Sequence, residues 1–327
     1  MPMRQYAVAL MCYAISMENL IAFMETKTEA KPFLKWAGGK SQLVQQISRI
    51  IESADLHKLN KYAEPFIGGG AMLFYVLQNY HFREIFISDK NKNLVNTYLA
   101  VKNDVSEIIK ILKDLQNKYN PARTEERQRQ FYEIRNLFNS TSLNGSISAE
   151  KAAWFIFLNK TCFNGLYRVN RQGHYNVPMG KYSFPKICDE ENLTAVSDIL
   201  QNVQIVYGDY AMSDDFIDKN TLAYFDPPYR PISKTAAFTA YNEECFNDEE
   251  QQRLADFIKK QDEKGAKIIL SNSDPKNADQ GDNFFDDLYR EFEIKRISAI
   301  RAINSKGTSR GKINELIITN IKENTLL

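Results

Sequence analysis

The stretch from Tyr62 to Asp89 limits what this chain can become more than any other. Tyr62-Ala-Glu-Pro-Phe66 reads as a strand, Gly68-Gly69-Gly70 as a tight loop, Ala71 to Leu77 as an apolar helix, and Ile85-Phe86-Ile87 as a second strand ending at Asp89. That order of strand, glycine loop and helix serves to bind nucleotide-like cofactors. An acidic residue about twenty positions beyond the loop commonly takes the ribose hydroxyls. The spacing is not Gly-x-Gly-x-x-Gly, which disfavours a nicotinamide cofactor. Taken alone, Asp89 is more often a strand-end turn residue; with the glycine loop before it, ribose binding is the favoured reading.

More strands of the same sheet follow. Val203 to Val206 ends at Gly208-Asp209-Tyr210, where Asp209 and Tyr210 could line the adenine side of a cofactor pocket or form a plain turn. Leu222-Ala-Tyr-Phe225 is a buried strand running into Asp226-Pro-Pro-Tyr229, and Lys267 to Leu270 is another. Asn247 with Glu250 resembles a capping box, opening a helix that stops near Gly265. Arg230 to Phe246 reads as a long loop beside the site. Glu293 to Ile300 and Ile313 to Ile318 read as an antiparallel hairpin whose basic tip, Ser305 to Gly311, can meet a phosphate backbone. Between Leu94 and Lys186 the pattern turns helical and polar. The organisation expected is an extension over 1–30, a catalytic α/β domain over 31–93 and 200–327, and an inserted recognition subdomain over 94–199.

Asp226-Pro-Pro-Tyr229 carries the chemistry. In an open α/β sheet, ligands bind where strands end. An amino group on a planar ring is a poor nucleophile because its lone pair is delocalised. Two acceptors aimed at its hydrogens, the Asp226 carboxylate and the Pro227 carbonyl, would stabilise the positive charge that grows as nitrogen attacks a methyl group. Pro228 restricts the backbone that aims that carbonyl, and Tyr229 offers a face for the ring. A plain turn after a strand is the bland alternative.

A second segment points to nucleic acid. Residues 151 to 186 contain Lys151, Lys160, Arg168, Arg171, Lys181 and Lys186 and no acid, interleaved with Phe163, Tyr167, His174, Tyr175 and Tyr182. Local positive charge with aromatic rings suits phosphate contact and base stacking; a solvated basic loop is the bland alternative. Arg168 and Asn170 are the side-chain types that read guanine and adenine edges bidentately. Upstream, Phe33-Leu-Lys-Trp-Ala-Gly-Gly-Lys40 places paired glycines before a helix, and Lys40 can meet a negative group there. It lacks the Walker spacing, so a nucleoside triphosphatase is not indicated.

The net charge is +1, so any nucleic-acid surface must be a local patch. Four scattered cysteines and three scattered histidines argue against metal ligation and a disulfide framework, which suits a reducing cytoplasm. Tyr6 to Met17 is apolar but too short to span a bilayer. It reads as a leader helix or as an extension upstream of a true start at Met17 or Met24.

Taken in order, FLKWAGGK at 33–40, EPFIGGG at 64–70, SDKN at 88–91, LNKTCFNGLYRVN at 158–170, NVPMGKY at 176–182, GDY at 208–210 and DPPY at 226–229 resemble the Dam-type, D12 class of DNA adenine-N6 methyltransferases. The resemblance runs from Phe33 to Asn320. It implies a Rossmann-like S-adenosylmethionine-dependent methyltransferase fold with a mixed sheet and double-stranded DNA as substrate. It places Trp36, Lys40, Glu64, Phe66, Gly68, Gly69, Gly70, Asp89, Asp209, Tyr210 and Asp226 around S-adenosylmethionine. Catalysis is assigned to Asp226, Pro227, Pro228 and Tyr229. Lys35, Phe163, Asn164, Arg168, Asn170 and Tyr182 would contact DNA, GATC in the best-known members, with Phe163 filling the gap left by an extruded adenine. A monomer without metal or membrane attachment is expected, and a restriction endonuclease is a conceivable genetic partner. Cytosine N4, RNA or a protein amide as acceptor, or a DNA-binding protein of this fold without turnover, are the alternatives.

Overall fold

The computed structural model describes residues 28–36, 43–230, 246–300 and 312–322. Seven strands form one sheet: β1 (Lys61–Glu64), β2 (Glu84–Asp89), β3 (Val203–Tyr207), β4 (Thr221–Phe225), β5 (Lys267–Ser273), β6 (Glu293–Ile300) and β7 (Lys312–Thr319). Their order across the sheet is β3-β2-β1-β4-β5-β7-β6. The first five are parallel, and β7 lies antiparallel between β5 and β6. The mixed sheet with a terminal antiparallel pair is therefore as expected, while the hairpin tip at 301–311 lies outside the described residues.

From β1 the chain moves outward through β2 to β3, then returns to lay β4 against the other side of β1. The strand order thus reverses between β1 and β4, and a crevice opens beyond their carboxyl ends. Both faces of the sheet are covered. Along β4, Leu222 and Tyr224 enter one hydrophobic core, whereas Ala223 and Phe225 enter the other. A strand buried on both faces reads as an unbroken apolar run.

Helix α1 (Val44–Ser53) precedes β1, and α2 (Ala71–Asn79) links β1 to β2. The connection from β2 to β3 carries α3 (Lys92–Tyr119), α4 (Thr124–Ser140), α5 (Ala149–Thr161) and α6 (Glu190–Leu200). The Asn91 side chain caps α3 by accepting from the amides of Asn93 and Leu94, and α3 bends at Asp104, where φ is −135° and ψ 38°. Phe131, Phe155 and Tyr175 of this region share one continuous core with Tyr62, Ile87 and Tyr224 of the sheet.

Helix α7 (Asp248–Glu263) starts as half of the expected capping box. The Asn247 side chain accepts from the Glu250 amide at 3.0 Å. The Glu250 carboxylate does not return the bond, because Arg253 draws it away at 2.7 Å.

Candidate active site

The crevice at the β1/β4 reversal is a cavity of about 1320 Å³. Trp36, Glu64, Phe66, Gly68, Gly69, Gly70, Asp89, Asp209, Tyr210 and the four residues Asp226 to Tyr229 all line it. Lys40 lies outside the described residues. The glycines permit the loop: Gly68 and Gly70 have φ of +48° and +73°, and Trp36 lies directly on Gly68 and Gly69. Asp89 braces the loop, accepting from the Gly68 amide at 3.2 Å and from the Asn91 amide at 2.8 Å. Burial raises the Asp89 carboxyl above its usual range, against the pull of those two amides. A carboxylate has about four acceptor positions, so this bracing leaves capacity for a diol.

At the far wall, Phe66 packs on Tyr210, tilted by 33° with centroids 5.4 Å apart, and meets Phe246 edge-on at 5.7 Å, giving an apolar aromatic wall. Beside it, Asp209 receives Arg253 at 2.8 Å and Lys90 at 2.8 Å. Burial alone would raise this carboxyl, but the hydrogen bonds from Arg253, Lys90 and the Ala211 amide hold it at about 2.

The loop after β4 is held from several directions. The Ser271 hydroxyl donates to Asp226 Oδ1 at 3.0 Å and lies 2.9 Å from the Tyr224 hydroxyl. Serine has one hydroxyl proton, so Tyr224 donates to Ser271 and the relay ends on the carboxylate. Gln251 of α7 donates to the Pro228 carbonyl at 3.2 Å. The Tyr229 hydroxyl donates to Glu315 of β7 at 3.0 Å. Arg230 then grips Asp248 through two bonds of 2.6 and 2.8 Å and Asp282 at 2.6 Å, its guanidinium 4.1 Å from the Phe284 ring centroid.

Glu64, at the end of β1, is buried and accepts from the Tyr62 hydroxyl at 2.7 Å. Burial raises its carboxyl well above the glutamate range; the Tyr62 bond opposes this, and the negative charge of Asp226 adds to it. A buried carboxyl with a second carboxyl near it favours a cationic group beside them. The raised value also has a consequence for stability. The folded protein holds the Glu64 proton more tightly than the unfolded chain, so stability falls as pH rises from about 4.3 through the folded value. In the absence of cofactor, Glu64→Gln should therefore have a flatter urea-midpoint profile than the parent between about pH 5 and pH 8. Parallel profiles would refute this account.

The helical connection presents a second face. Lys35 and Tyr182 meet, with the Lys35 ammonium 4.4 Å from the Tyr182 ring centroid. Phe163 is 51% exposed, and Asn164 beside it has φ of +54°. Arg168 folds onto Asn176, donating from Nε at 2.7 Å. Asn170 shapes its own turn, its side-chain oxygen accepting from the amides of Gln172 and His174 at 3.0 Å each. The loop leading to Tyr182 is clamped by Arg127 of α4, which donates to the carbonyls of Tyr182 and Ser183 at 3.2 and 2.7 Å. Not all of the basic stretch faces outward. Lys151 is buried, with its ammonium on the Thr141 carbonyl and 4.8 Å from the Phe138 ring centroid, because α5 is packed on most of its sides.

Residues 36–303 match the family described as D12 class N6 adenine-specific DNA methyltransferase. The chain belongs to this family. It is 48% identical over 294 residues to the Type II methyltransferase M.MjaIII of Methanocaldococcus jannaschii, covering 89% of this chain and 99% of that protein. It is 36% identical over 299 residues to the Type II methyltransferase M1.LlaDCHI of Lactococcus lactis subsp. cremoris, covering 90% and 97%. The DNA adenine methylase of Haemophilus influenzae is 32% identical over 298 residues, covering 90% and 95%. This D12 chain is accordingly an adenine-specific DNA methyltransferase with a methyltransferase-type mixed sheet. Among the described residues, no cluster of His, Cys, Asp and Glu could hold a metal ion, and no helix is long and apolar enough to cross a membrane.

Membership implies S-adenosylmethionine as methyl donor, and the cleft fits such a molecule. The glycine loop allows close approach, Asp89 retains acceptors for a ribose diol, the Phe66–Tyr210–Phe246 wall suits an adenine, and Glu64 with Asp226 suits a cationic end. Ser271, Glu315, Arg230 and Arg127 hold this site and are missed by pattern reading. Ser271 left a faint sign, a polar residue directly after the apolar run Ile268 to Leu270.

Proposed function

We propose that the chain transfers the methyl group of S-adenosylmethionine to N6 of an adenine extruded from duplex DNA, within GATC, acting as a monomer. The observation that carries this reading is the common cleft: the Asp226 loop and the glycine loop leave adjacent strands and line one cavity. S-adenosylmethionine would supply an activated methyl group. Everything else falls to the protein. The Asp226 carboxylate and the Pro227 carbonyl accept from the two amino hydrogens, which frees the nitrogen lone pair for attack and stabilises the charge that develops. As the methyl is transferred and the thioether leaves, one amino proton departs by way of Asp226 to solvent. The Ser271 relay holds Asp226 in place, and Glu315 orients the Tyr229 ring on which the base stacks. The amino group cannot be reached inside a stacked duplex, so the base must leave it at a cost of a few kcal/mol. The exposed Phe163 ring is suited to fill the vacated space.

Lys35, Arg168, Asn170 and Tyr182 are assigned to reading base edges, and Asn164 to the turn beside Phe163. Lys160 is assigned to a phosphate. Burial lowers its pKa, and the neighbouring charge of Lys35 lowers it further, so the pair favours an anion. Arg168→Ala should relax the sequence requirement at one base pair by ~1–3 kcal/mol. Lys160→Ala should weaken binding to all sequences and reduce the salt slope by about one. Equal loss on specific and random duplexes in Arg168→Ala would show that the reader is another residue.

The deciding experiment incubates the protein with unmethylated DNA and methyl-labelled S-adenosylmethionine, then analyses nucleosides and maps the sites. N6-methyladenine confined to GATC supports the reading. N6-methyladenine elsewhere moves the error to the four base readers, and no label with DNA still bound overturns the catalytic assignment. A resident restriction endonuclease acting at the same mapped sequence would mark the chain as the modification half of a pair.

A further inference from the structure

Lys35 and Trp36 are consecutive, yet they face different sides of the molecule. Trp36 covers the glycine loop, where a Cβ on Gly68 or Gly69 would stand only 3.0 Å from it, and it stacks on Tyr167 at 5.6 Å. Both rings line the cofactor cleft. Lys35 instead reaches the Tyr182 ring, on the face assigned above to DNA. The dipeptide is held by one side chain that neither the catalytic nor the reading assignment uses.

That side chain is Asn159 of α5, only 2% exposed. Its Oδ1 accepts from the Lys35 amide at 2.7 Å, and its Nδ2 donates to the Lys35 carbonyl at 2.8 Å and to the Gly165 carbonyl at 3.1 Å. Gly165 closes the Phe163–Gly165 turn at φ +64°, and a Cβ there would stand 2.5 Å from the Lys35 side chain. The turn bearing the exposed Phe163 is therefore pressed on Lys35 without slack, and Asn159 pins both.

We propose that Asn159 is a positioning residue that links occupancy of the cofactor cleft to sequence-specific DNA binding. The inference rests on the function proposed above. A ligand against Trp36 orders the peptide that joins it to Lys35, and the Asn159 bonds extend that order to the Phe163 turn. DNA then meets a turn that has less freedom left to lose. The linkage is reciprocal, so DNA must tighten cofactor binding by the same factor. A purely structural Asn159 would affect both affinities without changing that factor.

The test measures the dissociation constant of a GATC duplex by fluorescence anisotropy, with and without saturating sinefungin, an analogue that cannot transfer methyl. In the parent, sinefungin should tighten the GATC duplex about tenfold and a scrambled duplex little. In Asn159→Ala the factor should fall below about twofold, while sinefungin alone binds within about threefold of the parent and thermal unfolding stays cooperative. If Asn159→Ala does not fold, Asn159→Asp decides, since it keeps the acceptor for the Lys35 amide and loses both donated bonds. A parent factor near one, or a folded Asn159 variant with the parent factor, overturns the linkage. A parent that binds neither sinefungin nor DNA instead overturns the functional reading beneath it.

Discussion

Asp226→Asn is expected to lower the single-turnover methylation rate by about 10²–10³-fold at saturating cofactor, with DNA affinity within a few-fold of the parent. The Ser271 hydroxyl donates to Asp226 Oδ1. If the amide turns its oxygen to Ser271, its NH₂ points where the adenine amino group needs an acceptor, and two donors meet. If the amide turns the other way, it faces the Ser271 proton with a donor and disrupts the relay from Tyr224. Neither orientation restores the negative charge that balances the developing cation. Rapid-quench measurement with labelled methyl donor reads the chemical step directly. A rate within threefold of the parent would remove the carboxylate charge from the mechanism.

Gly70→Ala should destabilise the protein by about 3 kcal/mol and weaken cofactor binding with it. Gly70 sits at φ +73°, a left-handed conformation that costs other residues roughly 1–2 kcal/mol. A Cβ there would also stand 2.6 Å from the Tyr98 hydroxyl and 2.9 Å from the Phe74 ring. Tyr98 donates to the Gly68 carbonyl at 3.1 Å, so displacing it breaks a bond inside the glycine loop itself. Losing such a buried bond costs ~1–3 kcal/mol. Gly145→Ala is the control, since Gly145 has φ of +81° with nothing within 4 Å of a new Cβ. Urea denaturation of the two variants separates backbone strain from crowding. Equal losses would mean that the packing around Gly70 carries no weight.

What could be read from the chain was local. β4 was legible because burial on both faces makes every residue apolar, and Asp226 follows at once. The glycine loop and Asp89 were legible because turn geometry ties them to nearby strand ends. The residues that hold the site were not, because their partners are distant. Asn159 and Lys35 are 124 positions apart, Tyr229 and Glu315 86, and Asp226 and Ser271 45. No periodicity signals such pairs. Lys151 departs from the phosphate contact expected of the basic stretch for a related reason: a run without acids suggests outward-facing cations, whereas the packing of α5 buries this one against Phe138. Glu250 fits the capping-box spacing, yet Arg253 competes for its carboxylate. Lys40 and the tip of the β6–β7 hairpin lie outside the described residues, so their sequence-based roles remain proposals.

The shared core of the sheet and the β2–β3 connection has an evolutionary consequence. Phe131, Phe155 and Tyr175 pack into the same interior as Tyr62 and Tyr224. The β2–β3 connection is therefore not a cassette that recombination could replace without refitting the interior beneath it. Any exchange of that connection would have to preserve the fit against Tyr62 and Tyr224.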